Sequence, residues 1–133
     1  MRDADKIRAM LVAWAEAVAA GDRAGILADH ARDVLMFDFP NTVKGIDAYD
    51  RTWDFFDASR RSEVTFRPGD IQAVAGSEVA FASCEIHCAG TTADPIDFRL
   101  TMGFCKEAGR WVIVHEHHSM PTTEEVLIGP DVA

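Results

Sequence analysis

The chain has 133 residues, 48% of them apolar and 26% charged, with a formal net charge of −9. That length predicts a single domain with a substantial core and leaves no room for two. So acidic a chain lacks the concentrated basic surface that phosphate backbones require, so no nucleic-acid partner is expected.

Met1-Arg2-Asp3-Ala4-Asp5-Lys6 carries no apolar secretory run, and the Met10 to Ala20 stretch is interrupted by Glu16. A cytoplasmic protein with no membrane partner is the expectation. Ile7, Met10, Leu11, Trp14, Ala17 and Val18 recur at helix-face spacing, with Asp3 or Asp5 as cap and Gly21 as stop. Asp22 caps a shorter helix carrying Ile26 and Leu27. Val34 to Phe39 reads as a strand stopped by Pro40-Asn41, and a third helix runs from Ile46 to Ala58 with Tyr49, Trp53 and Phe56 on its apolar stripe.

From Ser62 the period changes to that of strands. Ser62 to Pro68 and Asp70 to Ala75 read as one strand broken at Pro68-Gly69, a bend signal. Glu78 to Ala89, Ile96 to Lys106 and Arg110 to Ser119 follow, separated by Gly90–Pro95 and Glu107-Ala108-Gly109. Residues 122–133 read as an acidic tail outside a domain of residues 1–121. Cys84, Cys88 and Cys105 are odd in number and lie in apolar strand patterns, so they read as reduced packing residues.

Helices first and a long meander afterwards predict an α+β domain with one sheet face covered by helices. Trp111, Ile113, Ala82, Cys84 and Ile86 are placed on the other, outer face, an apolar set that predicts a homodimer through that face.

Three segments carry a family resemblance: Trp14–Asp22, Asp33–Pro40 followed by Lys44-Gly45-Ile46, and Gly109–Ser119. In this order and spacing the chain resembles the nuclear transport factor 2-like superfamily, which includes ketosteroid isomerases and SnoaL-like polyketide cyclases. The resemblance covers Asp5 to Pro121. It implies a cone-shaped fold with three N-terminal helices packed on a curved antiparallel or mixed β-sheet.

Alternation divides the last strand, because neighbouring side chains point to opposite faces. Glu116 and His118 share one face with Val112 and Val114; His115 and His117 share the other with Trp111 and Ile113. Registered on the family, the cavity face carries Phe81, Ser83, Glu85 and His87, then Leu100 and Met102, then Val114, Glu116 and His118. Trp14, Trp53 and Phe56 close the cone. An apolar wall with a few convergent ionisable groups is the composition of a small-molecule site.

Asp38 matches the isomerase general base, a role that a raised pKa in an apolar cone suits; its alternative role is to cap the turn at Pro40-Asn41. The family's enolate-stabilising Tyr and protonated Asp are replaced by Trp14 and Leu100, so the steroid-isomerase mechanism does not transfer intact. His118 or His87 is a candidate replacement electrophile, or else each forms a structural ion pair with Glu116 or Glu85. A protonated His118 would also suit a small carboxylate, as the resemblance to the association (hub) domain of calcium/calmodulin-dependent kinases implies.

No recognised metal spacing is present, since Ser119 stands where His-Glu-x-x-His needs its second His. His87, His118 and a Glu remain the only candidate ligand set, and neither a metal nor an organic cofactor is expected. The resulting expectation is an acid–base enzyme of isomerase, cyclase or dehydratase type, acting on a small hydrophobic carbonyl-type substrate. Asp38, His118 and Glu116 are its catalytic candidates. The alternative is a non-catalytic binding or association module. Epoxide hydrolysis would need an Arg between two Asp residues, and the expected cavity face has none.

Overall fold

The computed structural model describes residues 1–130. Helix α1 (Asp3–Ala20) buries Ile7, Leu11, Trp14, Ala15 and Val18 along one face. Gly21 ends it in the left-handed conformation, at φ 71°. Asp3 and Asp5, expected as caps, lie instead inside the first turn, where their charge suits the positive end of the helix dipole. Asp22 does cap α2 (Arg23–Leu27), its carboxylate accepting from the Gly25 amide at 3.1 Å.

Strand β1 (His30–Phe37) begins at His30 rather than Val34, and Pro40-Asn41 is a turn into a short partner strand, β2 (Thr42–Lys44). Only then comes α3 (Ile46–Ala58). The expected block of three N-terminal helices is therefore two helices, a hairpin and a third helix. Beyond α3 lie β3 (Arg60–Pro68), β4 (Gln72–Ala75), β5 (Val79–Thr91), β6 (Ile96–Glu107), β7 (Arg110–Ser119) and a short α4 (Glu124–Ile128). The tail thus contains one helical turn, started by the Thr123 hydroxyl and burying no side chain. No helix among the described residues is long and apolar enough to cross a membrane.

The sheet runs β2-β1-β7-β6-β5-β3, with β4 also paired to β5. All pairings are antiparallel except β1 with β7. Pro68-Gly69 separates two strands that dock on successive parts of β5, since the Gly69 amide bonds the Glu85 carbonyl at 2.8 Å. Helix α1 packs on β3 and β4, and α3 on β1 and β2, so one core lies between helices and sheet.

Strand β5 corrects the face expected from the family register. Ala80, Ala82, Ile86 and Cys88 are buried, whereas Phe81, Ser83, Glu85 and His87 are on the outer face. Cross-strand partners share a face, and Leu100 and Met102 pair with Cys84 and Ala82. Leu100 and Met102 therefore cannot share a face with Phe81 and Ser83. The energetics agree: turning Glu85 and His87 inward would bury charge or unmet hydrogen bonds, while Ala82 and Ile86 are buried without that cost.

Strand β7 contains a second correction. Gly103 pairs with His115 and Phe104 with Ile113, leaving Val114 as the unpaired residue of a β-bulge. The bulge resets the alternation, so Trp111 and Ile113 point inward together with Glu116 and His118. Val114 is not a cavity residue, and Val112 pairs with Cys105 on the outer side. Five residues that motivated the expected dimer face (Trp111, Ile113, Ala82, Cys84 and Ile86) belong to the core or pack against it.

Gly90 lies in the irregular stretch of the antiparallel β3–β5 pairing, against Glu63. Its φ is 94°, and a Cβ there would fall inside the contact radius of the Glu63 carbonyl oxygen. Gly90→Ala is expected to destabilise the domain by about 2–3 kcal/mol. Urea unfolding checks this; a change under about 0.5 kcal/mol would show that this stretch relaxes freely.

Candidate active site

Among the described residues, Glu116 and His118 are the acidic or basic residues buried as a whole in the core, and the side chain of His30 is buried beside them. The first two come from β7 beyond the bulge, where alternation turns them under the helices. Glu116 collects three partners from three other places in the chain. His118 Nε2 stands 2.9 Å from Oε1, His30 Nε2 2.5 Å from Oε2, and the Tyr49 hydroxyl donates to Oε2 at 2.6 Å. Trp14 Nε1 in turn donates to the Tyr49 oxygen at 2.9 Å. Helix α3 supplies Tyr49 and Trp53 one turn apart, so the first joins the network while the second walls a cavity.

Donor and acceptor roles follow from atoms that have no choice. Indole N–H only donates, so Tyr49 accepts from Trp14 and gives its own proton to Glu116. The Ala28 carbonyl, 3.0 Å from His30 Nδ1, only accepts, so that nitrogen carries a hydrogen. The His30 Nε2–Glu116 contact therefore holds a single proton, between two side chains that are both fully buried.

Burial alone would push the Glu116 carboxyl up. Hydrogen bonds from His118 and His30 outweigh it and hold the group at about 2, below its ordinary 4.5. Burial, and then the Glu116 charge, push the Tyr49 hydroxyl well above its usual range, so it stays a donor.

His118 is the member of this network that reaches open space. Its ring stacks on Phe98 at 5.4 Å, meets Trp14 edge-on at 5.9 Å, and lines a cavity of about 600 Å³. Nε2 is bound to Glu116, and Nδ1 has no hydrogen-bond partner among the described residues. The walls include Met36, Trp53, Phe56, Phe66 and Phe98. Asp38, Asn41, Arg51 and Asp94 also line it, with Asn41, Arg51 and Asp94 at the exposed surface.

The SnoaL-like domain model matches residues 7–123, which spans helices, sheet and cavity. The chain belongs to the SnoaL-like domain family. No curated protein matches it. Among solved structures, this SnoaL-like domain is similar to a nuclear transport factor 2-like protein of unknown function from Pseudomonas putida KT2440. The two are 27% identical, with 92% of this chain and 89% of that one covered and a TM-score of 0.84. A provisionally assigned ketosteroid isomerase from Shewanella frigidimarina NCIMB 400 is 21% identical, covering 84% and 92%, with a TM-score of 0.72. A cystatin-like-fold protein of unknown function from Nostoc punctiforme PCC 73102 is 12% identical, covering 93% and 97%, at 0.76. These likenesses give the SnoaL-like domain its cystatin-like α+β fold with a curved mixed sheet.

Of the residues expected at the site, Trp53, Phe56, Asp38 and His118 line the cavity. Glu116 is behind His118, and Trp14 spends its donor on Tyr49 rather than on the cavity. Leu100 and Met102 are buried core opposite His118 and Glu116. Phe81, Ser83, Glu85 and His87 lie on the other side of the sheet, where His87 pairs with Asp97 at 2.9 Å and Ser83 with Thr101 at 3.0 Å. A ligand set of His87, His118 and a Glu does not converge, because the sheet separates the two imidazoles. His115 is tied to the Leu35 carbonyl at 2.7 Å.

His30 and Tyr49 were not among the residues expected. Tyr49 sits on an apolar helical stripe that reads as core, and His30 precedes its strand with no motif around it. Their partner is 67 and 86 residues away, a distance that local periodicity does not reach.

Asp38 performs its structural role, accepting the Asn41 amide at 2.7 Å across the hairpin turn. Asp38→Asn keeps an acceptor while removing the charge. It is expected to change stability by under about 1 kcal/mol and turnover by less than about tenfold. A hundredfold loss of turnover with an intact fold would instead make Asp38 the base.

Proposed function

We propose that this SnoaL-like domain is an acid–base enzyme that holds a small, apolar, ring-bearing carbonyl compound in the cavity and uses His118 as its general base. One observation carries the reading: a buried carboxylate orients an imidazole whose other nitrogen opens onto an apolar cavity. Glu116 fixes the ring through Nε2, and Nδ1 is the atom left to take a proton. Removing a proton from the carbon beside the carbonyl puts the C–H electron pair into an enolate and the proton on Nδ1. Return of that proton elsewhere is isomerisation; attack by the enolate on a second carbonyl, or expulsion of a leaving group, gives cyclase or dehydratase chemistry.

The enolate oxygen needs a donor. Thr52 and Ser59 line the cavity, but their hydroxyls bond the Ala48 and Phe56 carbonyls. Asn41, Arg51 and Thr92 are exposed lining residues whose side-chain donors make no hydrogen bond among the described residues, and they are assigned the oxygen; the Trp53 indole N–H is also unpaired but is buried. Asp38 supports a second reading, with the base at the mouth and His118 as the electrophile, because it too borders the cavity.

The test is deuterium incorporation from D2O at the α-carbon of a panel of cyclic ketones and enones, followed by NMR. His118-dependent exchange supports the reading. Exchange lost in Asp38→Asn as well as in His118→Phe would support the second, and exchange kept in Asp38→Asn the first. The homodimer is also retained as a proposal, now resting on exposed outer-face Phe37, Val74, Val79 and Phe81.

A further inference from the structure

The protons of the buried network can be counted further, and the count fixes what the cavity floor offers a ligand. Tyr49 donates to Glu116 Oε2, and the single proton of the His30 contact also lies at Oε2. Whether that proton sits on His30 or on Oε2, Oε1 remains an acceptor. His118 Nε2 must therefore be an N–H. Glu116 with His30 is electrically neutral in either form, so a charged His118 would leave one uncompensated charge among Phe98, Trp14 and Leu100. The neutral ring avoids that cost. It carries its hydrogen on Nε2 and presents the Nδ1 lone pair to the cavity.

Resting on the assignment of this cavity as the ligand site, we propose that its ligand is a neutral weak acid: a ring compound whose phenolic or enolic O–H donates to His118 Nδ1. His30 is the positioning residue that sets this polarity through Glu116. A carboxylate is disfavoured twice, by an acceptor at the floor and by Asp38 and Asp94 among the lining residues. Among the described residues Arg51 is the one lining Lys or Arg, and it is exposed, so an anion's favourable place is at the surface. This reverses the expectation that a protonated His118 would hold a small carboxylate.

Two measurements test it. Long-range 1H–15N correlation spectra of the His118 ring near neutral pH should show a protonated Nε2 and a bare Nδ1; a protonated Nδ1 overturns the proposal. Titrations of 2-naphthol, 2-methoxynaphthalene and 2-naphthoate, followed by tryptophan fluorescence in the Arg51→Gln background, should show 2-naphthol binding about tenfold tighter than either analogue. That factor is the size of one buried hydrogen bond, and it should vanish in His118→Phe.

Equal affinity of 2-naphthol and its ether, or a preference for naphthoate, overturns the donor–acceptor assignment while the cavity remains a ligand site. Tight binding of all three that ignores His118→Phe, or no binding of any, overturns both. His30→Gln separates positioning from packing: it should shift the His118 ring resonances and reduce the naphthol preference, while 2-methoxynaphthalene binding stays unchanged.

Discussion

His118→Phe is expected to lower turnover by about 10²–10⁴-fold, the usual contribution of a positioned general base. Phenylalanine preserves the planar ring that stacks on Phe98 and meets Trp14, so the cavity keeps its floor. What disappears is the basic nitrogen and one hydrogen bond to Glu116 Oε1, a loss of about 1–3 kcal/mol of stability. The defect should fall mainly on kcat, with KM raised by no more than about tenfold, because the apolar walls that bind substrate are untouched and only the hydrogen bond to Nδ1 is lost. His118→Gln supplies a side-chain amide donor but no base, so it should be as inactive and more stable. Turnover within threefold of wild type in either folded variant would remove His118 from the chemistry.

Glu116→Gln is expected to cost about 3–5 kcal/mol, the range for breaking one member of a buried, hydrogen-bonded ionic group. The amide keeps the shape but has a single acceptor oxygen where the carboxylate serves His30, Tyr49 and His118 with two. Its NH2 end must face either an N–H or an O–H donor.

The same carboxylate gives the loss a pH signature. Glu116 is held at about 2 in the fold against 4.5 as its ordinary value, so between those values the unfolded chain binds the extra proton. Its contribution, roughly 3 kcal/mol, is complete above about pH 4.5 and is lost as the pH falls toward 2. The gap between wild type and Glu116→Gln in urea unfolding should therefore be widest near neutrality and narrow on acidification. A gap that stays constant from about pH 6 to about pH 3 would mean that Glu116 is not ionised in the folded protein.

Much of this domain is legible in its sequence, for reasons that are local. The apolar spacing from Ile7 to Val18, the stop at Gly21 and the alternation through β6 report contacts made within one turn or one strand. The pairing of Glu116 with His118 on one face is a statement about residues two apart, and it holds in the fold. The order of helices, a strand and the meander, with Trp14–Asp22, Asp33–Pro40 and Gly109–Ser119 in place, is enough to identify the family.

Tertiary structure decided the rest. Alternation divides β5 into two sets but does not say which one faces the helices; pairing with β6 settles that, and it sends Glu85 and His87 outward. One unpaired residue, Val114, moves Trp111 and Ile113 to the side of Glu116, a change that the composition of the strand does not announce. His30 and Tyr49 reach Glu116 only because β1 runs parallel beside β7 and α3 lies across them. The sequence by itself determined the family, the main helices and strands, and the placing of Glu116 and His118 on one side of β7. Only the fold decided that the buried carboxylate orients one imidazole toward the cavity and shares a proton with another, because hydrogen bonds between distant segments leave no periodic trace along the chain.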